Sequence, residues 1–342
     1  MPNILFLVTS ARTIKLTNGH DHETGYWAEE VLKPYQRFLE AGVEVVVATP
    51  DGKLPHPDSY GLQHIFHYAD SDEDYLFSVT RSFMPDADDI RVTLRHLTEL
   101  DLIAARRISL ALAKAGADQN EIRQAIEKYA RKAWSEGLNF IDLIALDPHV
   151  NKHLQAKDLR IISDAVQQEA RDASSKMRRE LDAIAGMRKP KSLAEMTDTE
   201  ILLFDAIFIP GGHGPMVDMH QNPDVKRALT LLHSKNRTIA ALCHGPAALL
   251  SAGTRADGLW MFDGYKVTAF NNEEEDQTQA GRLGMPWYLE TALKNAGAIF
   301  DDAPLPWVSH VVVDRNLMTA QNPMSADAMA DAVLKRLQGV HA

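Results

Sequence analysis

The chain has 342 residues, 45% of them hydrophobic, which is enough apolar material for one large or two smaller globular domains. Its formal net charge of −11 argues against non-specific binding to nucleic acid or to anionic membranes. The single cysteine excludes an intramolecular disulfide bond and fits a reducing compartment. The N-terminal run MPNILFLVTS is too short to span a membrane and lacks a basic signal segment, so we expect a cytoplasmic protein.

Two apolar runs in the first part of the chain predict buried parallel strands, at residues 3–10 and 42–50. A helical segment lies between them and contains Glu29 and Glu30 near its start. Open parallel sheets form their sites at the carboxyl ends of the strands, and both carboxylates follow the first strand closely. The pattern therefore makes them candidates for a site at that edge.

The polar segment between the first strand and the helix, residues 13–25, is predicted to be a loop. It carries His20, His22 and Glu23, which are residue types that ligate metals. Such a cluster is more often a solvated loop, and the sequence leaves the choice open.

The middle of the chain changes from strand patterns to helical periodicity. Apolar residues recur at helical spacing in three stripes, and the second is bounded by a possible capping pair, Asp118 and Glu121, and by Gly137. We therefore predict a helical insertion at residues 81–195 within an α/β domain formed by residues 1–80 and 196–342. The insertion is expected to serve as a lid over the site or as an oligomer interface. Its three stripes begin at Leu97, Ile122 and Ile162.

Alternating strands and helices return after the insertion. The run DAIFIP, residues 205–210, predicts a strand that leads into the glycine loop Gly211–Pro215. Backbone N–H groups in such a loop can converge on an anion or on a developing oxyanion. By itself the motif is weak, because glycines after a strand commonly serve only a tight turn.

The stretch RTIAALCHGPAALL, residues 237–250, predicts a buried strand, a sharp turn and a helix. Cys243 lies at the turn and is followed by His244, Gly245 and Pro246. A thiol in this position would face the positive end of a helix dipole, which favours the thiolate. A lone cysteine after a strand is usually a small buried hydrophobe, but the neighbouring histidine and the upstream glycine loop favour a reactive nucleophile.

The C-terminal part continues the same pattern. YKVTAF, residues 265–270, predicts a strand that ends in the acidic turn 271–276, and HVVVDRNLMTAQ, residues 310–321, predicts a hairpin. Residues 325–337 predict a closing helix. Three consecutive glutamates in the acidic turn are usually solvated, although one of them could reach a histidine.

Four motifs together carry a family resemblance: TGYWAEEVLKPY, PGGHG, ALCHGPAAL and KVTAFNNEEED. In this order they resemble the ThiJ/PfpI superfamily of class I glutamine amidotransferase-like proteins, and more narrowly its heat-shock branch of glutathione-independent glyoxalases, deglycases and chaperones. The resemblance spans roughly residues 1–75 and 200–342. It implies a flavodoxin-like, doubly wound, mostly parallel sheet. The helical middle of the chain has no counterpart that we recognise.

The resemblance also implies roles for individual residues. Cys243 becomes the nucleophile, His244 its imidazole partner, and Glu275 the acid that orients the imidazole, with Glu274 as the alternative if the register slips by one. Glu30 matches the family carboxylate that contacts the thiol from the first-strand side.

The glycine loop, at Gly211 and Gly212, together with the backbone amide of His244 would form the oxyanion site. Some members of the branch bind a metal nearby, but Trp27 stands where a histidine ligand is expected, so we predict neither a metal nor a cofactor.

The implied activity is a glyoxalase reaction, in which a 2-oxoaldehyde such as methylglyoxal adds to Cys243 and leaves as a 2-hydroxy acid. A cysteine hydrolase, amidase or deglycase using the same residues is the second hypothesis. A non-catalytic chaperone or a thiol oxidation sensor is the third. The expected partner is a small reactive aldehyde or acyl substrate, with no nucleic acid and no membrane, in a homodimer or higher homo-oligomer.

Overall fold

The computed structural model describes residues 2–58, 61–62 and 99–340. The strands are β1 (Asn3–Leu7), β2 (Thr13–Lys15), β3 (Asp21–Glu23), β4 (Glu44–Thr49), β5 (Lys191–Ser192), β6 (Ala206–Ile209), β7 (Thr238–Leu242), β8 (Lys266–Val267), β9 (Ile299–Phe300), β10 (Val311–Asp314) and β11 (Leu317–Ala320).

The helices are α1 (Ala28–Glu40), α2 (Glu99–Lys114), α3 (Gln119–Glu136), α4 (Phe140–Ile144), α5 (Pro148–His153), α6 (Ala156–Ala183), α7 (Ala185–Arg188), α8 (Asp198–Leu202), α9 (Pro215–Asp218), α10 (Pro223–Ser234), α11 (Asn272–Glu275), α12 (Gln279–Gly284), α13 (Leu289–Asn295) and α14 (Ala326–Val340). None of these described helices is long and apolar enough to cross a bilayer.

A seven-stranded sheet in the order β10-β11-β7-β6-β1-β4-β5 forms the centre of the α/β unit. Among the described strands of this sheet, neighbours are parallel except for the β10–β11 pair. The carboxyl ends of β1, β6 and β7 therefore meet at one edge, where a site is expected. The predicted flavodoxin-like, mostly parallel sheet is confirmed.

Helices cover both faces of this sheet because its central strands are buried on both sides. In β1, Leu5 and Leu7 belong to the apolar cluster that includes α10, whereas Ile4 and Phe6 belong to the cluster that includes α1 and α14. Successive side chains of a strand alternate between faces, so a continuous apolar run supplies two cores at once.

One local prediction is wrong and another is only partly confirmed. The segment 13–25 is not a simple loop, because β2 and β3 pair as an antiparallel hairpin within it. The run 265–270 forms only the short strand β8, which pairs with β9 in a separate two-stranded sheet and does not join the central one. Short polar runs and runs near a sheet edge carry too little periodicity to fix their pairing partner.

Contacts divide the chain into two units, residues 1–62 with 177–342 and residues 63–176. In the second unit the predicted cap is present: the Asp118 side chain accepts hydrogen bonds from the first-turn amides of α3, and Gly137 ends that helix with φ 64°. Residue 81, where the insertion was predicted to begin, and Leu97 lie outside the described residues. The boundaries and the role of the insertion stay predictions.

Candidate active site

Cys243 lies directly after β7 in a left-handed backbone conformation, with φ 59°. This conformation is strained for a residue with a side chain and persists only where the surroundings enforce it. The amide of Cys243 donates to Ala320 O at 2.8 Å, and its carbonyl accepts from Phe270 N at 3.0 Å. Hydrogen bonds on both sides therefore fix the turn that presents the thiol.

The glycine loop packs directly against this turn. A Cβ atom on Gly211 would lie 2.6 Å from the amide nitrogen of His244 and 2.8 Å from Cβ of Cys243, so only glycine fits there. The Gly211 amide donates to Glu30 Oε2 at 2.7 Å, which differs from the oxyanion role that the resemblance implied. The amide that hydrogen-bonds the sulfur is that of Gly212.

Three side chains form a hydrogen-bonded row at the turn. His244 Nδ1 lies 3.4 Å from Cys243 Sγ, and His244 Nε2 lies 2.8 Å from Glu275 Oε2. Burial and the charge of His213 lower the pKa of His244 to about 4, so its imidazole is neutral at neutral pH. Because a carboxylate only accepts, Nε2 carries the proton and Nδ1 turns a lone pair toward the thiol.

Glu275 also binds a second imidazole. Its Oε1 accepts from His213 Nε2 at 3.0 Å and from the Thr278 hydroxyl at 3.0 Å. Burial alone would raise the pKa of Glu275, but the charges and hydrogen bonds of His213 and His244 hold it below its usual range. His213 lies within the PGGHG motif, and its position in the sequence assigned it no role; a histidine inside a glycine loop was the available signal.

The structure distinguishes the two neighbouring glutamates. Glu275 faces His244, whereas Glu274 accepts hydrogen bonds from the Trp307 amide at 2.7 Å and from the side-chain amides of Asn322 and Gln321 at 2.8 and 3.0 Å. Adjacent residues of a helical turn point in different directions, so one of them reaches the imidazole and the other anchors loops. Burial raises the pKa of Glu274 to about 7.

Glu30 contacts the thiol from α1, as the resemblance implied. It is fully buried next to the Cys243 thiol, and burial raises the pKa of this carboxyl to about 8. Glu30 is therefore mostly protonated at neutral pH and can donate to sulfur. Glu29 is buried as well, but it pairs with Lys33 at 3.3 Å.

The expected acidification of Cys243 by a helix dipole is wrong. The segment after the turn is a short 3₁₀ helix, Gly245–Ser251, and the thiol is only 2% exposed. Burial raises the pKa of Cys243, a charged Glu30 raises it further, and the Gly212 amide only partly opposes this. The thiol is thus protonated at neutral pH, and it needs the neutral His244 as a base.

A family model described as "DJ-1/PfpI family" matches residues 154–336, just over half of the chain. The chain belongs to the DJ-1/PfpI family. The resemblance to the ThiJ/PfpI superfamily is confirmed. A second model, "Adenylosuccinate lyase C-terminus", matches residues 101–168 of this DJ-1/PfpI protein.

A curated relative is similar to part of the chain, and two solved structures share its fold. The protein/nucleic acid deglycase HchA of Escherichia coli is 32% identical over 165 residues, which is 45% of this chain and 55% of the relative. The chain thus spans about half the length of the curated relatives it matches. Rapid Encystment Protein of Francisella tularensis has a TM-score of 0.56 at 21% identity, covering 98% of this chain and 99% of that one. Glyoxalase III of Candida albicans has a TM-score of 0.54 at 17% identity, covering 98% and 96%.

Within the described part of this DJ-1/PfpI protein, one group of residues brings three metal-ligating atoms together. The ligand atoms of His213, His244 and Glu275 lie within 4.8 Å of one another. Two hydrogen bonds of 2.8 and 3.0 Å already account for this closeness. A metal there would take the imidazole nitrogens that the carboxylate orients, so the absence of a metal cofactor stays our prediction.

Of the other candidate ligands, His22 and Glu23 lie within β3, and His20 directly precedes it. Side chains of adjacent strand residues point to opposite faces, which separates His22 from Glu23. Glu23 instead lies 3.5 Å from His56. The exposure of this segment favours a solvated segment over a metal site.

The raised pKa of Glu30 predicts a pH-dependent stability. The folded protein keeps a proton on Glu30 up to about pH 8, whereas the unfolded chain releases it near 4.5, so stability falls as the pH rises between these values. Glu30→Gln retains a neutral group, and it should raise Tm by at least about 2 °C near pH 9 and change it little near pH 5. Glu274 titrates in the same direction but is present in both proteins. Parallel curves of Tm against pH would contradict the buried, protonated Glu30.

Proposed function

We propose that this DJ-1/PfpI protein is a cysteine-dependent glyoxalase that converts a 2-oxoaldehyde such as methylglyoxal to a 2-hydroxy acid without glutathione. The observation that carries the proposal is the row formed by Cys243 Sγ, His244 and Glu275, with a protonated Glu30 beside the sulfur. A neutral base, an orienting carboxylate and a neutral acid around one thiol suit covalent carbonyl chemistry.

The first step is addition of the thiol to the aldehyde carbon. His244 Nδ1 takes the Sγ–H proton as the S–C bond forms, and it delivers that proton to the former aldehyde oxygen, giving a hemithioacetal. The Glu275 carboxylate stabilises the transient charge on the imidazole. The Gly212 amide and the Glu30 proton lie beside the sulfur and stabilise its charge as the S–H bond breaks.

The second step moves hydrogen between the two substrate carbons. His244, again neutral, removes the C1–H proton to give an enediolate and returns that proton to C2, while the C1 hydroxyl proton passes to the C2 oxygen, leaving a 2-hydroxyacyl thioester on Cys243. Water then attacks the thioester carbonyl, the C–S bond breaks, and the acid leaves as the thiol regains a proton. The net reaction adds one water to the 2-oxoaldehyde and consumes no redox partner.

The Escherichia coli relative supports reactive carbonyl compounds as the substrate class, because it is named a deglycase. The surroundings of the sulfur are closely packed, which favours a small aldehyde over a bulky acyl group. We further propose that the protein works in the cytoplasm without metal or cofactor, as a homodimer or higher homo-oligomer. In this proposal the helical insertion acts as a lid or as the oligomer interface.

The decisive experiment is incubation of the purified protein with methylglyoxal in the absence of any added thiol. We expect lactate to form catalytically, with activity rising as the pH increases through about 4, where His244 becomes neutral. The Glu29→Gln variant should retain most of the activity, since Glu29 pairs with Lys33, whereas Glu30→Gln should lose much of it. A wild-type protein that forms no lactate above the buffer background refutes the glyoxalase proposal.

We propose deglycation as the second candidate activity, since the Escherichia coli relative is named a protein/nucleic acid deglycase. The Cys243 thiol would attack the carbinolamine carbon of an amine–aldehyde adduct, the C–N bond would break, and the amine would leave with the thiol proton, giving the same hemithioacetal. The net charge of −11 favours protein adducts over nucleic acid. Release of an amine from a preformed adduct faster than its spontaneous decay, with free aldehyde removed by a scavenger, separates this activity from the first.

A further inference from the structure

The two imidazoles bound to Glu275 differ at their other ring nitrogen. Both use Nε2 for the carboxylate, at 2.8 Å for His244 and 3.0 Å for His213. The Nδ1 atom of His244 faces the thiol, whereas the Nδ1 atom of His213 has no hydrogen-bond partner among the described residues. A second imidazole is therefore held in place by the catalytic carboxylate with one nitrogen left for a substrate.

His213 is also the member of this group that solvent reaches best. Its side chain is 12% exposed, compared with 2% for His244 and 3% for Glu275. It follows Gly212, whose amide bonds the sulfur, and its ring centroid lies 4.2 Å from that of His244. In a substrate adduct the ketone oxygen is three bonds from Sγ, so it stays close to the groups that surround the sulfur.

We propose that His213 is the general acid of the reaction, and that its Nδ1–H protonates the ketone oxygen of the hemithioacetal while His244 removes the C1–H proton. This inference rests on the proposed glyoxalase function and adds a catalytic residue to it.

The protons balance through the whole isomerisation. As the enediol forms, the C1–H proton goes to His244 and the ketone oxygen receives a proton from His213, which becomes neutral. His244 then gives its proton to C2, and the C1 hydroxyl gives its proton to His213 as the thioester carbonyl forms. Both imidazoles return to their starting states, and no external acid, base or oxidant is needed.

Electrostatics favour this exchange because the pair carries one positive charge throughout. Burial would lower the pKa of His213, but the Glu275 carboxylate and the charge of Asp58 raise it above its ordinary value, while His244 stays neutral. The further charge-bearing group near His213 is His22, on β3. When the positive charge passes from His213 to His244, it moves from the imidazole that binds Glu275 Oε1 to the imidazole that binds Oε2. The charge therefore stays paired with the same carboxylate, which avoids an unpaired buried charge.

The test uses His213→Gln, which keeps a side-chain N–H for Glu275 but removes the titrating nitrogen. We expect kcat for lactate formation to fall about 10²–10⁴-fold with KM changed by less than about threefold, the range for loss of a general acid. Iodoacetamide alkylation of the single cysteine should change by less than about threefold, because His213 acts after addition. The loss of activity at high pH, where His213 gives up its proton, should disappear in the variant.

His310→Gln is the matched control, because His310 Nε2 also binds a carboxylate oxygen, that of Asp301 at 3.2 Å, outside the site. It should leave kcat unchanged. A second variant, His213→Ala, should regain activity with added imidazole, and the regain should weaken as the pH rises. Thermal unfolding of each variant shows whether the fold is retained.

Three results would overturn the inference: kcat of His213→Gln equal to the wild type, alkylation falling in parallel with kcat, or a high-pH decline that persists in the variant. The second result would make His213 a positioning residue for Glu275, and the third would assign the decline to Glu30. Lactate formed equally by wild type and variant overturns this inference alone. A wild type that forms no lactate overturns the proposed function and this inference together.

Discussion

Replacing Cys243 with serine should lower lactate formation from methylglyoxal by at least about 10³-fold, because the hydroxyl is a far weaker nucleophile at the same position. The two side chains are close in size, and both backbone hydrogen bonds of the turn remain available, so the variant should fold like the wild type. Steady-state lactate production measures the effect, and Tm and circular dichroism report the fold.

Alkylation provides the internal control for this variant. Cys243 is the only cysteine, so the serine protein should take up no iodoacetamide label at all. Residual turnover within about tenfold of the wild type, in a protein that carries no label, would show that the reaction does not pass through a covalent adduct on sulfur.

Glu275→Gln should have the next largest effect, a loss of about 10³-fold or more in kcat, comparable to losing the orienting carboxylate of a catalytic triad. The glutamine oxygen can accept from one imidazole, but its NH₂ group must face the other. Either His244 turns a protonated Nδ1 toward the thiol or His213 loses its anchor. Both outcomes remove a proton-transfer group, and kcat measurements detect either.

Two neighbouring glutamates serve as matched controls for this substitution. Glu273→Gln should leave kcat within about twofold, since both imidazoles already bond Glu275 through Nε2 and Glu273 is only half-buried. Glu274→Gln should lower the free energy of unfolding by about 2–4 kcal/mol, because it weakens bonds to Trp307 and Asn322, with kcat reduced less than about tenfold. If Glu274→Gln abolished activity while Glu275→Gln did not, the assignment of the two carboxylates would be reversed.

The sequence predicted the features that depend on local pattern and on motif order. Continuous apolar runs mark strands that are buried on both faces, so β1, β4, β6 and β7 and the hairpin β10–β11 lie where their periodicity indicated them. The motifs around Gly211 and Cys243 follow two adjacent parallel strands. Parallel topology alone brings such motifs to one edge of the sheet.

Motif spacing could not determine side-chain direction or protonation. Glu274 and Glu275 are adjacent in the sequence, and only the helical turn α11 decides that the second one binds His244 and His213. The sequence likewise placed Cys243 before a helix, whereas the structure has a short 3₁₀ helix there and burial keeps the thiol protonated.

The sequence by itself thus determined the family and the sheet and predicted the nucleophile, because these depend on residue types and on their order along the chain. The tertiary structure alone decided the proton positions, the use of the Gly211 amide for Glu30 and the pairing of His213 with Glu275. The physical reason is that a pKa and a hydrogen bond depend on groups from distant segments, here α1, the turn after β7 and α11, which become neighbours only when the chain folds.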